Sequence, residues 1–406
     1  MCGPGLPRSQ EHGATTGSAE PMKLLYPILL VAAAIPIAEH AIETWLANDS
    51  EARWVPFTLT GGNQIRFIAT VDGRPVGAIL DTGVSDSAMS RRLAPRLRPR
   101  GAAPGTASAI GGAVPIAWAT SPRVGFGGLD HRGGRIAVID APGSATGGES
   151  VDLFVGRDLL AGFALEIDYD AGRFRLLPSG RMPFRGVSVP LTVGGAAPSY
   201  VSNLTIGGRR TPMIIDTGDG NAVTFSAATW RHLASPARVT TTLSYGIGGT
   251  SVTELAIDPA LPLGPLPAQA TEVAIEPDGG FSQGAGVGGR IGNGLLQRYH
   301  VLLDPGAGQM VLAPGRLAGA QPPRSTSGLL LRRDGDRLNV VHVMRGGPAA
   351  AAGWRAGETI CSVDGAIIGH VPGEAALSWP IGPPGRTVRL GLCDGPTRAL
   401  TLRNFY

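Results

Sequence analysis

The chain has 406 residues, 61 of them glycine and 34 proline, with 43% apolar and 5% aromatic residues. That length admits two or three domains, and the apolar fraction is that of a folded chain with a sizeable core. The formal net charge is +4, no run of Lys or Arg occurs, and the single lysine is Lys23, so nucleic-acid binding is not implied and a catalytic lysine is excluded from the body of the protein.

At the N-terminus, Met22-Lys23 followed by the apolar stretch 24–38 reads as a charged start and the 15-residue core of a signal peptide, short for a membrane span. Residues 1–41 are therefore a leader, with Met22 a candidate start and cleavage expected between Ala34 and Ala41. The expected location is periplasmic or secreted. The alternative is an anchor retained through residues 24–38, and only then is a membrane a partner.

Asp-Thr-Gly occurs twice, at Asp81-Thr82-Gly83 after Ala78-Ile79-Leu80 and at Asp216-Thr217-Gly218 after Met213-Ile214-Ile215. Alone, such a tripeptide is a turn; here it belongs to a repeat with an offset of 135 residues. Ala69-Thr70-Val71-Asp72-Gly73-Arg74 falls on Leu204-Thr205-Ile206-Gly207-Gly208-Arg209, and both read as hairpins leading into the aspartate. Ile110-Gly111-Gly112 then matches Ile247-Gly248-Gly249, and Val155-Gly156-Arg157-Asp158-Leu159-Leu160 matches Ile291-Gly292-Asn293-Gly294-Leu295-Leu296. A duplicated domain that keeps one acid per copy points to acid–base chemistry by a carboxylate pair.

The ordered triplet of Asp-Thr-Gly, Gly-rich tip and later apolar-apolar-Gly resembles the aspartic proteases, more closely the retropepsin-like branch than pepsin. The resemblance implies an all-β, bilobal pepsin/retropepsin-like double barrel, with lobe 1 at 53–182 and lobe 2 at 187–316. It implies Asp81 and Asp216 as the catalytic pair, with Thr82, Gly83, Thr217 and Gly218 supporting their loops. Ile110, Gly111 and Gly112, with Tyr245, Ile247, Gly248 and Gly249, would be flap residues against an extended peptide or protein substrate. No cofactor or metal is implied. Three departures stand out: Val84-Ser85 follow the first motif, leaving Arg157 without its usual acid unless Asp86 or Asp158 serves; Asp219 follows the second; and Asn293 replaces the second arginine. If Asp219 points at the pair, it raises the pair's pKa values by repulsion.

After a Gly/Pro/Ala-rich linker at 317–324, residues 325–406 carry Gly347-Pro348-Ala349-Ala350-Ala351-Ala352-Gly353-Trp354, Gly357-Glu358-Thr359-Ile360 and Val363-Asp364-Gly365. This run resembles a PDZ domain of the bacterial protease-associated type, a small β-barrel with short helices. The resemblance makes Gly328, Leu329 and Leu330 the peptide-binding loop, for a protein C-terminus added to a sheet edge. Cys361 and Cys393 suit either a bridge or two buried thiols.

Several signals carry no function. Gly284-Ala285-Gly286-Val287-Gly288-Gly289 matches a dinucleotide-binding run literally but lacks its strand–turn–helix setting. The seven histidines are scattered singly, which argues against a metal site. Asp168 and Asp304 are read as turn residues. The expected function is an exported aspartic endopeptidase with a recruiting PDZ module; the rival is a non-catalytic peptide-binding protein using the same cleft and groove.

Overall fold

In a computed structural model, residues 42–93, 103–194, 198–371 and 373–406 are described; the expected leader, with its start, cleavage site and anchor alternative, lies outside the described residues. The period-two pattern of Ile65–Val71 buries Ile65, Phe67, Ala69 and Val71 and leaves Ile68 and Thr70 outside. This strand turns through Asp72 and Gly73, at φ +48° and +77°, into Arg74–Leu80. Two successive positive-φ residues make the turn whose twist suits a hairpin. Gly207 and Gly208, at +54° and +79°, do the same between Ser199–Ile206 and Arg209–Asp216.

Beyond the hairpins the two halves repeat one ladder. Arg74–Leu80 pairs in parallel with Leu153–Val155, which pairs antiparallel with Ala88–Ser90, itself parallel to Arg135–Ile139. In the second half Arg209–Asp216, Gly289–Gly292, Val223–Ser226 and Leu266–Glu276 follow that order with the same directions. A third sheet takes strands from both halves. Phe163–Asp168 lies antiparallel to Tyr299–Asp304, flanked by Arg173–Pro178 and Gln309–Pro314, with Val55–Pro56 and Val187–Pro190 at the edges. One contiguous apolar core runs from Ile65 through Phe174 and Val301 to Leu312.

The described residues are thus mainly β, in four sheets. Among the described residues the ladders run as open paths, so the expected barrel closure is corrected: the outer strands end at edges instead of pairing around. The spans 53–182 and 187–316 are joined by the shared sheet. Asp168 and Asp304 end their strands and open the turns that follow, accepting from the backbone N–H of Ala171 and Ala307 at 3.0 Å each. Asp304 also accepts from Ser179 Oγ at 2.6 Å, tying the halves together. The glycine run at 284–289 leads into a strand instead of following one, so no phosphate cradle forms there.

Residues 325–406 build a fourth sheet on their own core of Leu338, Val340, Trp354, Ile360, Val388 and Leu400. Cys361 and Cys393 are bridged, with Cα atoms 5.0 Å apart. This module seats on the long hairpin of Val239–Gly246 and Gly249–Leu263. Thr240 Oγ1 donates to Arg345 O at 2.8 Å, Thr241 Oγ1 meets His342 Nε2 at 2.9 Å, and Arg345 reaches Glu254 at 2.6 Å. Leu255, Ile257, Met344 and Tyr406 close the junction as an apolar cluster. Strand Leu329–Asp334 is an edge of its sheet.

Candidate active site

Each catalytic candidate ends a buried strand. Asp81 follows Arg74–Leu80, its N–H donating to Val155 O at 2.9 Å, and Asp216 is the last residue of Arg209–Asp216. The threonines cross between the loops. Thr82 N donates to Thr217 Oγ1 at 3.0 Å and Thr217 N to Thr82 Oγ1 at 3.1 Å. Their hydroxyls in turn donate to Ile215 O and Leu80 O, each at 2.7 Å. All four groups are buried and satisfied, which makes the arrangement rigid.

The glycines set the separation of the carboxylates. A Cβ on Gly83 would stand 2.3 Å from Asp216 Cγ, and one on Gly218 would stand 2.4 Å from Asp81 Cγ. Each backbone therefore lies against the opposite acid, a distance only glycine allows. Gly83 N donates to Asp81 Oδ1 at 3.1 Å; Gly218 N and Asp219 N donate to Asp216 Oδ1 at 2.9 and 3.1 Å. The two carboxyl groups are thus held near enough to share a proton.

Two acids this close and this dry cannot both ionise cheaply. Burial raises Asp81 to about 6, opposed by the bonds from Gly83 and Asp216, with the Asp219 charge adding to the rise. Burial also pushes Asp216 well above the usual carboxylate range, reinforced by the charges of Asp81 and Asp219 and opposed by Arg290. With Asp81 near 6 and Asp216 pushed well up, the pair is built to hold one proton from about pH 6 upward.

Two side chains that the motifs do not announce reach the loops from the other half. Gln64 Nε2 donates to Gly218 O at 3.0 Å, and Ser199 Oγ donates to Gly83 O at 3.1 Å. The repeat offset carries Gln64 onto Ser199, so these are equivalent props with different chemistry; the lack of similarity hid them. Asn293 Nδ2 donates to Thr217 O at 2.7 Å and Asn63 O at 3.0 Å, so the residue replacing an arginine is itself a brace. In the first half Ser87 donates to Asp158 Oδ1 at 2.6 Å while its Oγ accepts from Gly156 N at 2.9 Å. Asp158 is thereby committed to Ser87, and Arg157 donates to Pro198 O at 3.0 Å in place of an acid.

Asp219 is buried, and its carboxylate turns to Asn221, Thr224 and Arg290 at 2.8, 3.0 and 3.0 Å. Arg290 is 1% exposed and also reaches Glu276 at 2.5 Å. Burial disfavours its charge, but Asp219, Glu276 and Asp216 outweigh that and hold the guanidinium above its ordinary pKa. A buried ion pair stripped of one partner loses about 3–5 kcal/mol. A lone arginine inside an otherwise apolar strand was the available sequence signal for this cluster.

The flap candidates meet over the two halves. Ile110 and Gly111 form the tip between Ala103–Ala109 and Gly112–Thr120, and Ile247 and Gly248 the tip between Val239–Gly246 and Gly249–Leu263. Gly248 N donates to Ile110 O at 3.0 Å, and Ile247 packs on the first half's Ile79, Ile116 and Phe154. A Cβ on Gly111 would lie 2.5 Å from Gly249 O, so the tips interlock through glycine. Gly112 is at φ +132°, and Tyr245, opposite Thr250, is 42% exposed. In the module, Gly328 takes φ +73°, but its N–H and that of Leu329 already donate to Ser325 Oγ and Ser327 Oγ, both at 3.1 Å. Leu330 packs partly buried at the junction with the hairpin.

Residues 67–159 match a family model described as aspartyl protease. That stretch is an aspartyl protease domain carrying Asp81, and the chain is accordingly an aspartic-type peptidase. No curated protein matches the chain.

Proposed function

We propose that the chain is an exported endopeptidase in which two duplicated lobes share one catalytic site, with residues 325–406 as a PDZ-like recruiting module. The family match covers the first Asp-Thr-Gly only; what carries the second acid is the reciprocal bonding of Thr82 and Thr217, with each glycine against the opposite carboxylate. The pair holds one proton and a shared water. Its ionised member takes a proton from that water as the water attacks the peptide carbonyl; the protonated member donates to the carbonyl oxygen. The roles then reverse to expel the amine, with no covalent intermediate. The flap tips, interlocked through Gly248 and Ile110, part to admit an extended chain and exclude water once closed. Export is supported by the apolar stretch 24–38 and by the Cys361–Cys393 bridge, a bond suited to an oxidising compartment.

Fractionating cells that make the full chain, and assaying each fraction with a mixed peptide library, tests this reading. Cleavage is expected in the periplasmic or extracellular fraction. It should fall below about pH 6 as both carboxyls protonate, and fall again above the pair's raised upper pKa as the last proton leaves. A hydroxyl-bearing transition-state mimic should inhibit it. Inactivity at every pH would refute the peptidase, and full-length protein found only in the cytosol would refute export.

For the module, the N–H groups of Gly328 and Leu329 are engaged by serine hydroxyls, which favours addition of a peptide strand along Leu329–Asp334. Replacing Leu331 by proline, which cannot donate to such a ladder, should weaken cleavage of recruited proteins while short-peptide cleavage stays near wild type. Equal loss for both substrates in a folded variant would contradict recruitment.

A further inference from the structure

The two halves are equivalent in backbone but not in charge beside the catalytic pair. Phe154 pairs with Ile79 in the first half, and Arg290 occupies the equivalent place opposite Ile214 in the second. At this place the first half has an apolar ring and the second a buried cation 3.6 Å from Asp216. Arg290 Nε stands 3.0 Å from Asp219 Oδ2 and 3.6 Å from Asp216 Oδ2; Nη1 reaches Glu276 Oε1 at 2.5 Å and Ser282 Oγ at 3.1 Å. The Phe281 ring lies 5.3 Å from the guanidinium.

The site at Asp216 is therefore faced by Asp81 across the cleft, by Asp219 on its own loop and by Arg290 on the parallel strand, with Glu276 behind Arg290. Asp219 and Glu276 need a partner, because isolated buried carboxylates would neutralise by taking up protons. Without Arg290, whatever negative charge they kept would act on the pair unopposed. We infer that Arg290 is a positioning residue for the Asp81/Asp216 pair: by neutralising Asp219 and reaching Asp216 Oδ2 from one side, it sets the pH window in which the pair holds a single proton. This rests on the peptidase reading proposed above.

The sign follows from the charges. Removing the cation stabilises protons on the pair and moves both limbs of the kcat/KM profile upward; removing the Asp219 charge moves them downward. In the full chain, R290M is expected to shift the limbs up by about one pH unit, a tenfold change in proton affinity. D219N should shift them down, and R290K, which keeps the charge, should return them to the wild-type position. Because R290M leaves two buried carboxylates unpaired, D219N/R290M serves as the folding-tolerant check: it preserves the cluster's net charge and should restore the wild-type window. A merely structural role would lower activity in every variant with the limbs unmoved, and would overturn the inference. Carboxyl-carbon NMR titration of Asp216, assigned with D216N, in wild type, D219N, R290K and D219N/R290M separates this from failure of the peptidase reading, since it needs no turnover. Near-wild-type midpoints in R290K and the double variant, with D219N displaced downward, support the role. Coincident midpoints in D219N and wild type overturn it even if the chain proves inactive.

Discussion

Asp81→Asn and Asp216→Asn are each expected to lower kcat/KM by about 10³-fold or more, because either change deletes one proton-transfer partner and leaves the shape nearly intact. The amide keeps one acceptor oxygen for the Gly83 or Gly218 N–H, so the loop bonds at 3.1 and 2.9 Å survive. Melting temperature should not fall, since the substitution also removes the mutual repulsion of two buried acids. The double variant should be little worse than the singles, as residues acting as one unit are not additive. Cleavage of a chromogenic peptide, measured alongside thermal unfolding, checks this. Robust activity in Asp216→Asn would overturn the two-lobed site and leave the first lobe to work as a homodimer.

The second large effect is steric. Gly218→Ala would place a methyl 2.4 Å from Asp81 Cγ, and Gly83→Ala one 2.3 Å from Asp216 Cγ. Neither contact can be relieved by a flexible tip, because the carboxylate is itself the reacting group. The strain of such overpacking is about 1–3 kcal/mol, and a displacement near 1 Å at a reacting group costs on the order of 10²-fold in rate. Each variant is expected to fold with a lowered melting temperature and to lose at least that much of kcat with KM little changed. Gly194→Ala, where an added Cβ meets nothing within 4 Å, is the control and should match wild type. Wild-type kcat in Gly218→Ala would mean that the two loops are farther apart in solution than this geometry requires.

The sequence by itself carried the local chemistry. The hairpins ending at Asp81 and Asp216, the turns at Asp72-Gly73 and Gly207-Gly208, and the glycine tips at 111–112 and 248–249 were all legible, because each depends on residues a few positions apart. The repeat offset made the pair visible as a pair. It also located Thr82 and Thr217, whose crossing bonds then joined segments 135 residues apart. Tertiary structure alone decided what meets those loops from elsewhere in the chain. Gln64 and Ser199 prop opposite motifs, Asn293 braces Thr217, and Arg290 draws Asp219 and Glu276 into one buried cluster; no period or spacing encodes contacts between residues so far apart. The same is true of the sheet joining Phe163–Asp168 to Tyr299–Asp304, and of the bridge between Cys361 and Cys393. It holds too for the seating of Arg345 on Thr240 and Thr241, which puts the C-terminal module on the hairpin that carries the second flap. Backbone propensity and turn chemistry act within a few residues, whereas a shared core and a buried charge are satisfied only by whatever packing brings into reach.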